Sequence, residues 1–418
     1  MKKIKLKNKD SLLIRHWLVC LLFIANCQLA KSQMQINLQA SLDTAIKNNL
    51  TVKNEKLRSE YHKKMIKTSA SIPQTNVIGQ YGQINSAYYD NSIGVTQSFN
   101  FPTVYSNQKK ILTEEWKTSV LNSALKEVET KKLVRQLFYG YLYLKQKEAL
   151  LYNNDSIYAS FLNKANLRFT SGESNVLEKI TAETQRGNIA IQLNQLQKDV
   201  ELILLQFRLV LNTTTAFVPY EQNIKYTGEI ARDSNLVNQH PLLKIMEQQK
   251  KVSFLNQKLE KSKLLPDLNF GYYNMSMKGT GSDDITYTYS TRFQALQVGV
   301  GIPLFFGSQK AKINAAKINQ SISENLFLQE KTNLQLEYKS AINQYLMHLK
   351  TTNYFETVAL KNASQILETA NKQYLNGELN YLEWVMLTNQ AISIKSDYLD
   401  AVKNLNESII QINYLITK

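Results

Sequence analysis

The chain has 418 residues, of which 43% are hydrophobic and 20% charged, and this composition excludes a disordered protein. Its formal net charge is +16, but the 50 basic residues are interspersed with 34 acidic ones. This mixing is typical of solvated helix faces and argues against a nucleic-acid site. Both cysteines, Cys20 and Cys27, fall within the first 32 residues, so the remainder has no disulfide framework.

Residues 1–32 have the pattern of an export signal. A lysine-rich start precedes a short apolar run from Trp17 to Ala25, and Ala30-Lys31-Ser32 offers small residues for cleavage. Two alternatives stay open: cleavage after Ser32, or lipidation of Cys27, although Asn26 stands where a lipoprotein signal usually has a small residue. No later apolar run approaches the roughly 20 residues of a membrane helix, so a membrane-crossing chain would cross with strands.

The segment that follows predicts a helix near 38–70 and then a β-hairpin at 72–103. In the second strand of this hairpin, four apolar residues alternate with small or polar ones: Ile93, Val95, Phe99 and Phe101. This period of two gives a strand with one apolar and one polar face.

Two long antiparallel helices are predicted next, at 104–168 and 173–212, because this stretch has few glycines and no proline. Apolar residues at coiled-coil spacing mark the two facing stripes. These are Val134, Leu137, Tyr141, Leu144 and Leu151 on the first helix, and Ile189, Leu193, Leu196, Val200, Ile203, Phe207 and Val210 on the second. The turn between the helices is predicted near Gly172.

The second half predicts the same elements again: a helix at 241–264, a hairpin at 265–305, a long helix at 308–373, a turn near Gly377 and a helix at 378–416. In this hairpin the alternating apolar residues are Leu296, Val298, Val300 and Ile302. The turns also match without a gap, RFTSGESNVLEKITAETQ at 168–185 against QYLNGELNYLEWVMLTNQ at 373–390. We interpret the chain as a duplicated unit, with a first repeat at 33–213, a linker at 214–239 and a second repeat at 240–418.

Two hairpins supply too few strands to close a barrel. An open sheet in lipid would leave backbone groups unpaired, at a cost of several kcal/mol for each group. If the chain crosses a membrane, several copies must therefore pool their strands around a water-filled lumen.

The duplicated hairpin-and-long-helix plan, the prolines that bracket the strands, and the turns RFTSGE…LEKI and QYLNGE…LEWV resemble the outer membrane factors, the TolC-type efflux channels. The resemblance implies a mixed α and β membrane protein, mostly α. Long antiparallel coiled-coil helices would form a periplasmic tunnel, and four β-strands per chain would contribute to the shared 12-stranded transmembrane barrel of a homotrimer. It also implies the outer membrane of a Gram-negative bacterium, contact with its lipid, no cofactor, and two partners: a periplasmic adaptor and an inner membrane pump of the resistance-nodulation-division type.

In this family the helix turns form the closed periplasmic end, with an acidic residue six positions after the turn glycine. Glu178 and Glu383 occupy those positions and are the expected gate residues. The resemblance further implies that both turns face the adaptor, through the aromatic residues and glycines Phe169, Gly172, Tyr374 and Gly377. Met386 and Leu379 stand where the family has an acidic and a basic gate residue, so its gate bonding does not carry over whole.

The two glutamates have two open interpretations. Symmetry-related copies of Glu383 near a narrow axis would focus negative potential and favour cations. Alternatively, both glutamates are first-turn helix residues favoured by the helix dipole.

Residues 292–317 are most similar to family members associated with heavy-metal pumps. The expected cargo is therefore heavy-metal cations, or otherwise drugs or other small molecules. Met275 and Met277 are soft ligand types, but packing at a strand end accounts for them, and no metal site is predicted.

An enzyme is not expected. His62, His240 and His348 are scattered singly, and no phosphate loop, nucleophile elbow or paired Cys/His spacing occurs. The rival to a channel is an exported coiled-coil scaffold or adhesin, whose strands would pair in a soluble domain.

Overall fold

The computed structural model describes residues 34–173, 175–228, 230 and 233–417. The leader predicted at 1–32, with Cys27, lies outside these residues. The described chain is mostly helical, as predicted. Its elements follow the same order in each half: helix, two antiparallel strands, long helix, glycine turn and helix.

The first half begins with a short strand β1 (Met34–Ile36), and its remaining elements are α1 (Leu38–Asn48), α2 (Leu50–Met65), a 3₁₀ turn (Ile66–Ala70), β2 (Asn76–Gly82), β3 (Asp90–Phe99), α3 (Pro102–Thr170) and α4 (Val176–Leu211). The linker contains β4 (Phe217–Pro219) and a 3₁₀ turn (Ser234–Gln239). The second half contains α5 (Pro241–Ser262), β5 (Asp267–Met275), β6 (Gly279–Thr280), β7 (Thr286–Tyr287), β8 (Phe293–Gly301), α6 (Gly307–Tyr354), a π-helical turn (Phe355–Ala359), α7 (Leu360–Leu375) and α8 (Tyr381–Ile416).

The residues form two compact units, each of which takes segments from both halves of the chain. The helical unit comprises the residues up to Leu50, Thr130–Glu229 and Gln344–Gln411. The sheet unit comprises Thr51–Glu129, Ile230–Asn343 and Ile412–Lys418. The repeat boundaries at 213/214 and 239/240 stay a prediction.

Two predicted helices are interrupted. The helix predicted near 38–70 breaks at Asn49, whose side-chain amide donates to the carbonyl of Val210 at 3.0 Å. The helix predicted at 308–373 contains the π-helical turn Phe355–Ala359. Within that turn the Glu356 carboxylate accepts from the hydroxyl of Tyr398 at 3.0 Å and pairs with Lys225. Both interruptions coincide with long-range polar contacts, and neither involves a proline or glycine.

In the helical unit, the predicted coiled-coil stripes lie in the core. Val134, Leu137 and Tyr141 of α3 are buried, and so are Phe207 and Val210 of α4. They belong to one apolar cluster that also includes Ile36 of β1 and Ile410 of α8. The predicted pairing of these two helix faces is therefore confirmed.

The linker is tied to the helical unit by polar contacts. The buried side-chain amide of Asn406 donates to the carbonyl of Ile224 at 2.6 Å and accepts from the amide of Tyr226 at 2.8 Å. β4 pairs in parallel with β1, a contact that the sequence pattern did not predict because both strands are three residues long.

In the sheet unit, the two hairpins join into one four-stranded antiparallel sheet of order β2-β3-β5-β8. The register places apolar side chains in rows on one face. One row is Val77, Val95, Tyr272 and Leu296, and another is Phe99, Leu268 and Val300. Two rows on the opposite face hold small or polar residues: one is Asn76, Thr96, Gly271 and Gln297, and the other is Ser98, Asn269 and Gly299. A further row on that face, Ile78, Gly94, Tyr273 and Ala295, includes an isoleucine and a tyrosine. The predicted alternation is confirmed, and pairing extends each face across all four strands.

Within the part of the chain that the structure covers, no helix combines the length and apolar character needed to cross a membrane.

His240, which precedes α5, gives the sheet unit a pH-dependent stability. The side chain is buried, and this burial lowers the pKa of His240 from 6.5 to about 4; Lys244 also lowers the pKa, whereas Glu129 opposes the shift. Its Nδ1 accepts the amide of Leu242 at 3.3 Å, so the neutral ring caps the helix. Between pH 6.5 and about 4 the unfolded chain binds a proton that the folded chain does not, so stability falls as the pH falls through this window.

We expect the thermal unfolding temperature of the protein to decrease as the pH is lowered from 6.5 to 4. The free energy of unfolding should decrease by at most about 3 kcal/mol, at 1.36 kcal/mol per pKa unit. His240→Asn retains a side-chain acceptor for the helix cap and removes the titrating group. Thermal unfolding followed by circular dichroism should show a flatter pH dependence for this variant. An identical slope in both proteins would remove His240 as the cause.

Candidate functional site

The two glycine turns of the helical unit have the same backbone geometry. In the first, the Gly172 amide donates to Phe169 O at 3.1 Å and the Glu173 amide to Arg168 O at 2.9 Å. In the second, the Gly377 amide donates to Tyr374 O at 3.2 Å and the Glu378 amide to Gln373 O at 2.9 Å. Both are Schellman caps, which end α3 and α7 with a residue at positive φ, +76° at Gly172 and +77° at Gly377.

Backbone conformation alone requires glycine here, since nothing lies within 4 Å of where a Cβ would stand at either position. We expect Gly172→Ala or Gly377→Ala to lower the free energy of opening of its turn by about 1–2 kcal/mol. Gly187→Ala, at an equally open position inside α4, should instead stabilise by about 0.5–1 kcal/mol. Hydrogen exchange of the local amides measures both effects. If the turn substitutions and Gly187→Ala had effects of the same sign, positive φ would not be the reason for glycine in the turns.

After each turn, an asparagine caps the start of the next helix. The Asn175 side-chain oxygen accepts the amide of Leu177 at 3.0 Å, and that of Asn380 accepts the amide of Glu383 at 3.0 Å. In the second turn the bond is reciprocated, because Glu383 Oε2 accepts the Asn380 amide at 2.9 Å. Glu383 is therefore exposed and completes a capping box, which is the helix-start role weighed above.

Glu178 has a different environment, although it occupies the equivalent position. Its side chain is 16% exposed and lies 3.6 Å, Oε2 to Nη1, from Arg168. Arg168 Nη1 also donates to the hydroxyl of Tyr374 at 3.3 Å, so Arg168 links the first turn to the second. Oε2 of Glu178 is buried and has no hydrogen-bond partner within the described ranges, so its charge is balanced chiefly by Arg168.

This network keeps its tyrosines neutral. Burial raises the pKa of Tyr374, and nearby Glu178 raises it further, against the opposing effect of the Arg168 hydrogen bond. Burial likewise raises the pKa of Tyr381, and Glu178 adds to that shift. The hydrogen bond to Tyr374 raises the pKa of Arg168, so the arginine stays cationic.

An aromatic cluster packs behind the turns. The ring of Phe161 is stacked on Tyr381 at 4.7 Å and 15°, and on Trp384 at 4.6 Å and 19°. Trp384 Nε1 donates to Asn371 Oδ1 at 2.8 Å, which satisfies the only polar atom of a side chain that is 4% exposed. The cluster joins α3 to α8 and fixes the positions of both turns.

Beside the turns lies an open groove of about 570 Å³. It is lined by Lys164, Leu167, Arg168, Glu178, Tyr374, Leu375, Gly377, Leu379, Asn380 and Tyr381. The groove thus brings Glu178, Tyr374 and Gly377 together, whereas Glu383, Phe169 and Gly172 are not among its lining residues. Phe169 is 40% exposed, with Lys179 Nζ 5.9 Å from its ring centre.

The second half of the chain resembles a known protein family. Residues 234–416 match the sequence model of the outer membrane efflux protein family. Over this range the chain is similar to that family. The resemblance inferred from the turns is confirmed, while no curated protein sequence matches the chain.

Solved structures similar to this chain extend the likeness to the first half. The channel CusC matches with a TM-score of 0.78 at 14% identity, covering 92% of this chain and 93% of its own. The outer membrane channel CmeC of Campylobacter jejuni has a TM-score of 0.77 at 14% identity, with coverages of 91% and 85%. The outer membrane protein VceC of Vibrio cholerae has a TM-score of 0.76 at 10% identity, with coverages of 91% and 95%. At these identities the likeness concerns the fold.

The sequence patterns predicted the two turns but not the roles of Arg168, Phe161 and Trp384. The signal for Arg168 was present, since an arginine directly precedes the aromatic position of the first turn. The repeat comparison hid it, because the second turn has Gln373 there. Among the described residues, no group of three or more His, Cys, Asp or Glu side chains is arranged to hold a metal ion.

Proposed function

We propose that the protein is the outer membrane channel of a tripartite efflux system, assembled as a homotrimer in which three four-stranded sheets form one 12-stranded barrel. The observation that carries this proposal is the two-faced sheet. Its apolar face is bare, with side-chain exposures of 85% at Leu296, 73% at Val298 and 69% at Val77. Such a face is unfavourable in water and suited to lipid.

The edges of the sheet also favour assembly. β2 and β8 are its outer strands, and within the described residues neither has a strand neighbour on its outer side. Lipid cannot supply hydrogen bonds to those edges, whereas β2 of one copy can pair with β8 of the next. The small and polar face would then line water, so solutes pass without contact with lipid.

In this assembly the two glycine turns form the periplasmic end. A periplasmic adaptor would bind there, and an inner membrane pump of the resistance-nodulation-division type would deliver the cargo. The channel itself is passive and has no catalytic step. Opening requires that the aromatic packing around Trp384 and the contacts of Arg168 break. The cargo is heavy-metal cations, or otherwise drugs or other small molecules.

Fractionation of cells that express the protein tests the proposal. We expect it in the outer membrane fraction, resistant to salt washes, and present in detergent as an oligomer that dissociates on heating. A protein released by salt as a monomer would instead be the exported scaffold or adhesin.

Susceptibility of a deletion strain tests the cargo. Greater sensitivity to copper or silver salts than to dyes and antibiotics identifies a metal exporter, and the reverse pattern identifies a drug exporter. The unmodified gene supplied on a plasmid should restore resistance. Unchanged sensitivity to every compound would contradict a role in efflux of either class.

Glu383 offers a sharp test of the pore role, because its charge and its capping bond can be separated. Glutamine also completes a capping box, so Glu383→Gln removes only the charge. We expect this variant to lose cation preference, measured as the reversal potential across a salt gradient in planar bilayers. Glu383→Ala should in addition weaken the start of α8 by about 1 kcal/mol. Unchanged selectivity in both variants would leave Glu383 with the cap alone.

A further inference from the structure

The apolar stripe of β8 continues past the end of the strand. Leu296, Val298 and Val300 lie on the exposed face, and Ile302 and Leu304 follow at the same spacing with exposures of 68% and 76%. The stripe covers positions 296 to 304, which matches the lower end of the roughly 9–11 residues that a tilted strand needs to cross a membrane. Phe305, the next residue, is 96% exposed. It therefore stands at the edge of the lipid-facing region.

A lysine lies over an aromatic ring at each end of this stripe. At the end that leads into α6, Lys310 Nζ is 4.6 Å from the ring centre of Phe306. At the other end, Lys278 Nζ is 5.3 Å from the ring centre of Tyr88 and 5.6 Å from that of Tyr289. Aromatic rings at both limits of an apolar band are typical of membrane interfaces, where lysine can reach headgroup phosphates.

Hydrogen bonds of Gln309 anchor the first turn of α6, which carries Lys310. Gln309 Nε2 donates to the carbonyl of Glu260 at 2.7 Å and to its Oε2 at 2.8 Å. The Glu260 carboxylate pairs with Lys263 at 2.6 Å. Lys310 is exposed and forms no salt bridge to a described residue, so its charge is available to an external anion.

The first repeat has no such feature, although its chain aligns without a gap. Thr103 and Val104 stand in place of Leu304 and Phe305. Tyr105, the equivalent of Phe306, is folded back, with its hydroxyl accepting the amide of Asn100 at 3.0 Å. Lys109 is the equivalent of Lys310 and provides a matched control.

We propose that residues 304–310 bind the anionic phospholipid headgroups of the periplasmic leaflet: Phe305 lies among the upper acyl chains, and Lys310 contacts the phosphate. The proposal rests on the proposed function, which places the sheet in the outer membrane. Lipid fits the segment better than a second copy of the chain, because the segment continues the lipid-facing stripe and presents an exposed lysine that forms no salt bridge to any described residue. It thereby ties each subunit to one leaflet at a defined depth.

Depth is tested with tryptophan substitutions in the full-length protein. Phe305→Trp and its control Val104→Trp are reconstituted in phosphatidylcholine vesicles with or without bromine on the acyl chains, and the signal of the unsubstituted protein is subtracted. We expect bromine to quench the added tryptophan in Phe305→Trp more strongly than in Val104→Trp. Equal or weaker quenching at position 305 would mean that protein or water covers the segment, which overturns the proposal.

Headgroup preference is tested with Lys310→Gln and Lys109→Gln in nanodiscs of equal parts phosphatidylcholine and phosphatidylglycerol. The lipids retained by each purified protein are quantified by mass spectrometry. We expect Lys310→Gln to lose about fivefold in preference for phosphatidylglycerol at the site, the effect of one lysine near an anionic surface. Lys109→Gln should match the unsubstituted protein. An unchanged preference in Lys310→Gln, or an equal loss in both variants, contradicts the proposal.

Conductance of the same preparations separates two kinds of failure. Conducting protein without quenching at 305 and without headgroup preference refutes the lipid site and leaves the channel intact. Protein that does not conduct refutes the channel, and with it the lipid site.

Discussion

Leu296→Arg is expected to prevent stable assembly of the protein in a membrane. Leu296 lies in the apolar row with Val77, Val95 and Tyr272 and is 85% exposed. An arginine on the lipid face of a barrel costs about 2–4 kcal/mol at the midplane and about 0–1 kcal/mol near an interface, and the proposed trimer carries the cost at position 296 in three copies. The heat-sensitive oligomer in the outer membrane fraction should therefore disappear or decrease strongly.

Gln297→Arg is the matched control, because residue 297 is adjacent in sequence and lies on the opposite face with Asn76, Thr96 and Gly271. A charge there should be tolerated, since that face lines water in the proposed channel. Both variants add the same side chain to the same strand. Equal tolerance of the two, or greater damage from Gln297→Arg, would show that the apolar face does not contact lipid.

Trp384→Ala is expected to loosen the end of the helical unit that carries the glycine turns. The buried ring stacks on Phe161, and its indole nitrogen donates to Asn371. Replacing a buried tryptophan by alanine typically costs about 3–5 kcal/mol. We expect faster hydrogen exchange at both turns and a larger single-channel conductance, because the packing that holds the turns together is lost.

Two control variants separate the effect of the lost aromatic packing from that of the lost hydrogen bond and from that of any substitution in this helical turn. Trp384→Phe keeps an aromatic ring and loses only the bond to Asn371, so its cost should be about 1 kcal/mol. Leu382→Ala changes a side chain of the same helical turn that is 69% exposed, and it should be nearly silent. Native-like hydrogen exchange in Trp384→Ala would exclude the aromatic cluster as a closing element.

Features with local causes could be predicted from the sequence. The apolar stripe of α4 fixes its buried face through helical periodicity, and the alternation around Val95 and Val298 fixes the two faces of the sheet. The turn glycines could be placed because a helix end at positive φ favours glycine in each copy of the repeat.

Features with distant partners could not be predicted in this way. Arg168 and Tyr374 are 206 residues apart, and nothing local specifies their contact. The π-helical turn at Phe355–Ala359 contains no proline or glycine that would predict it from the sequence. It coincides with contacts of Glu356 to Tyr398 and Lys225. The pairing of β3 with β5, which merges two hairpins into one sheet, is equally non-local.

The two glutamates illustrate the limit most clearly. Glu178 and Glu383 occupy the same position in the repeat, and the repeat alignment alone does not separate them. In the structure Glu383 is exposed and bonds to the amide of Asn380, whereas Glu178 is largely buried beside Arg168. The difference arises from residue 168, which is arginine in the first turn, while its counterpart in the second turn is Gln373.

In the proposed function, copies of this chain pool their sheets around a water-filled passage through a membrane. Recording of single channels from purified protein in planar lipid bilayers tests this most directly. We expect discrete conductance steps from the heat-sensitive oligomer, which Leu296→Arg should abolish and Gln297→Arg should not. A freely soluble monomer that gives no steps under any lipid composition would contradict it.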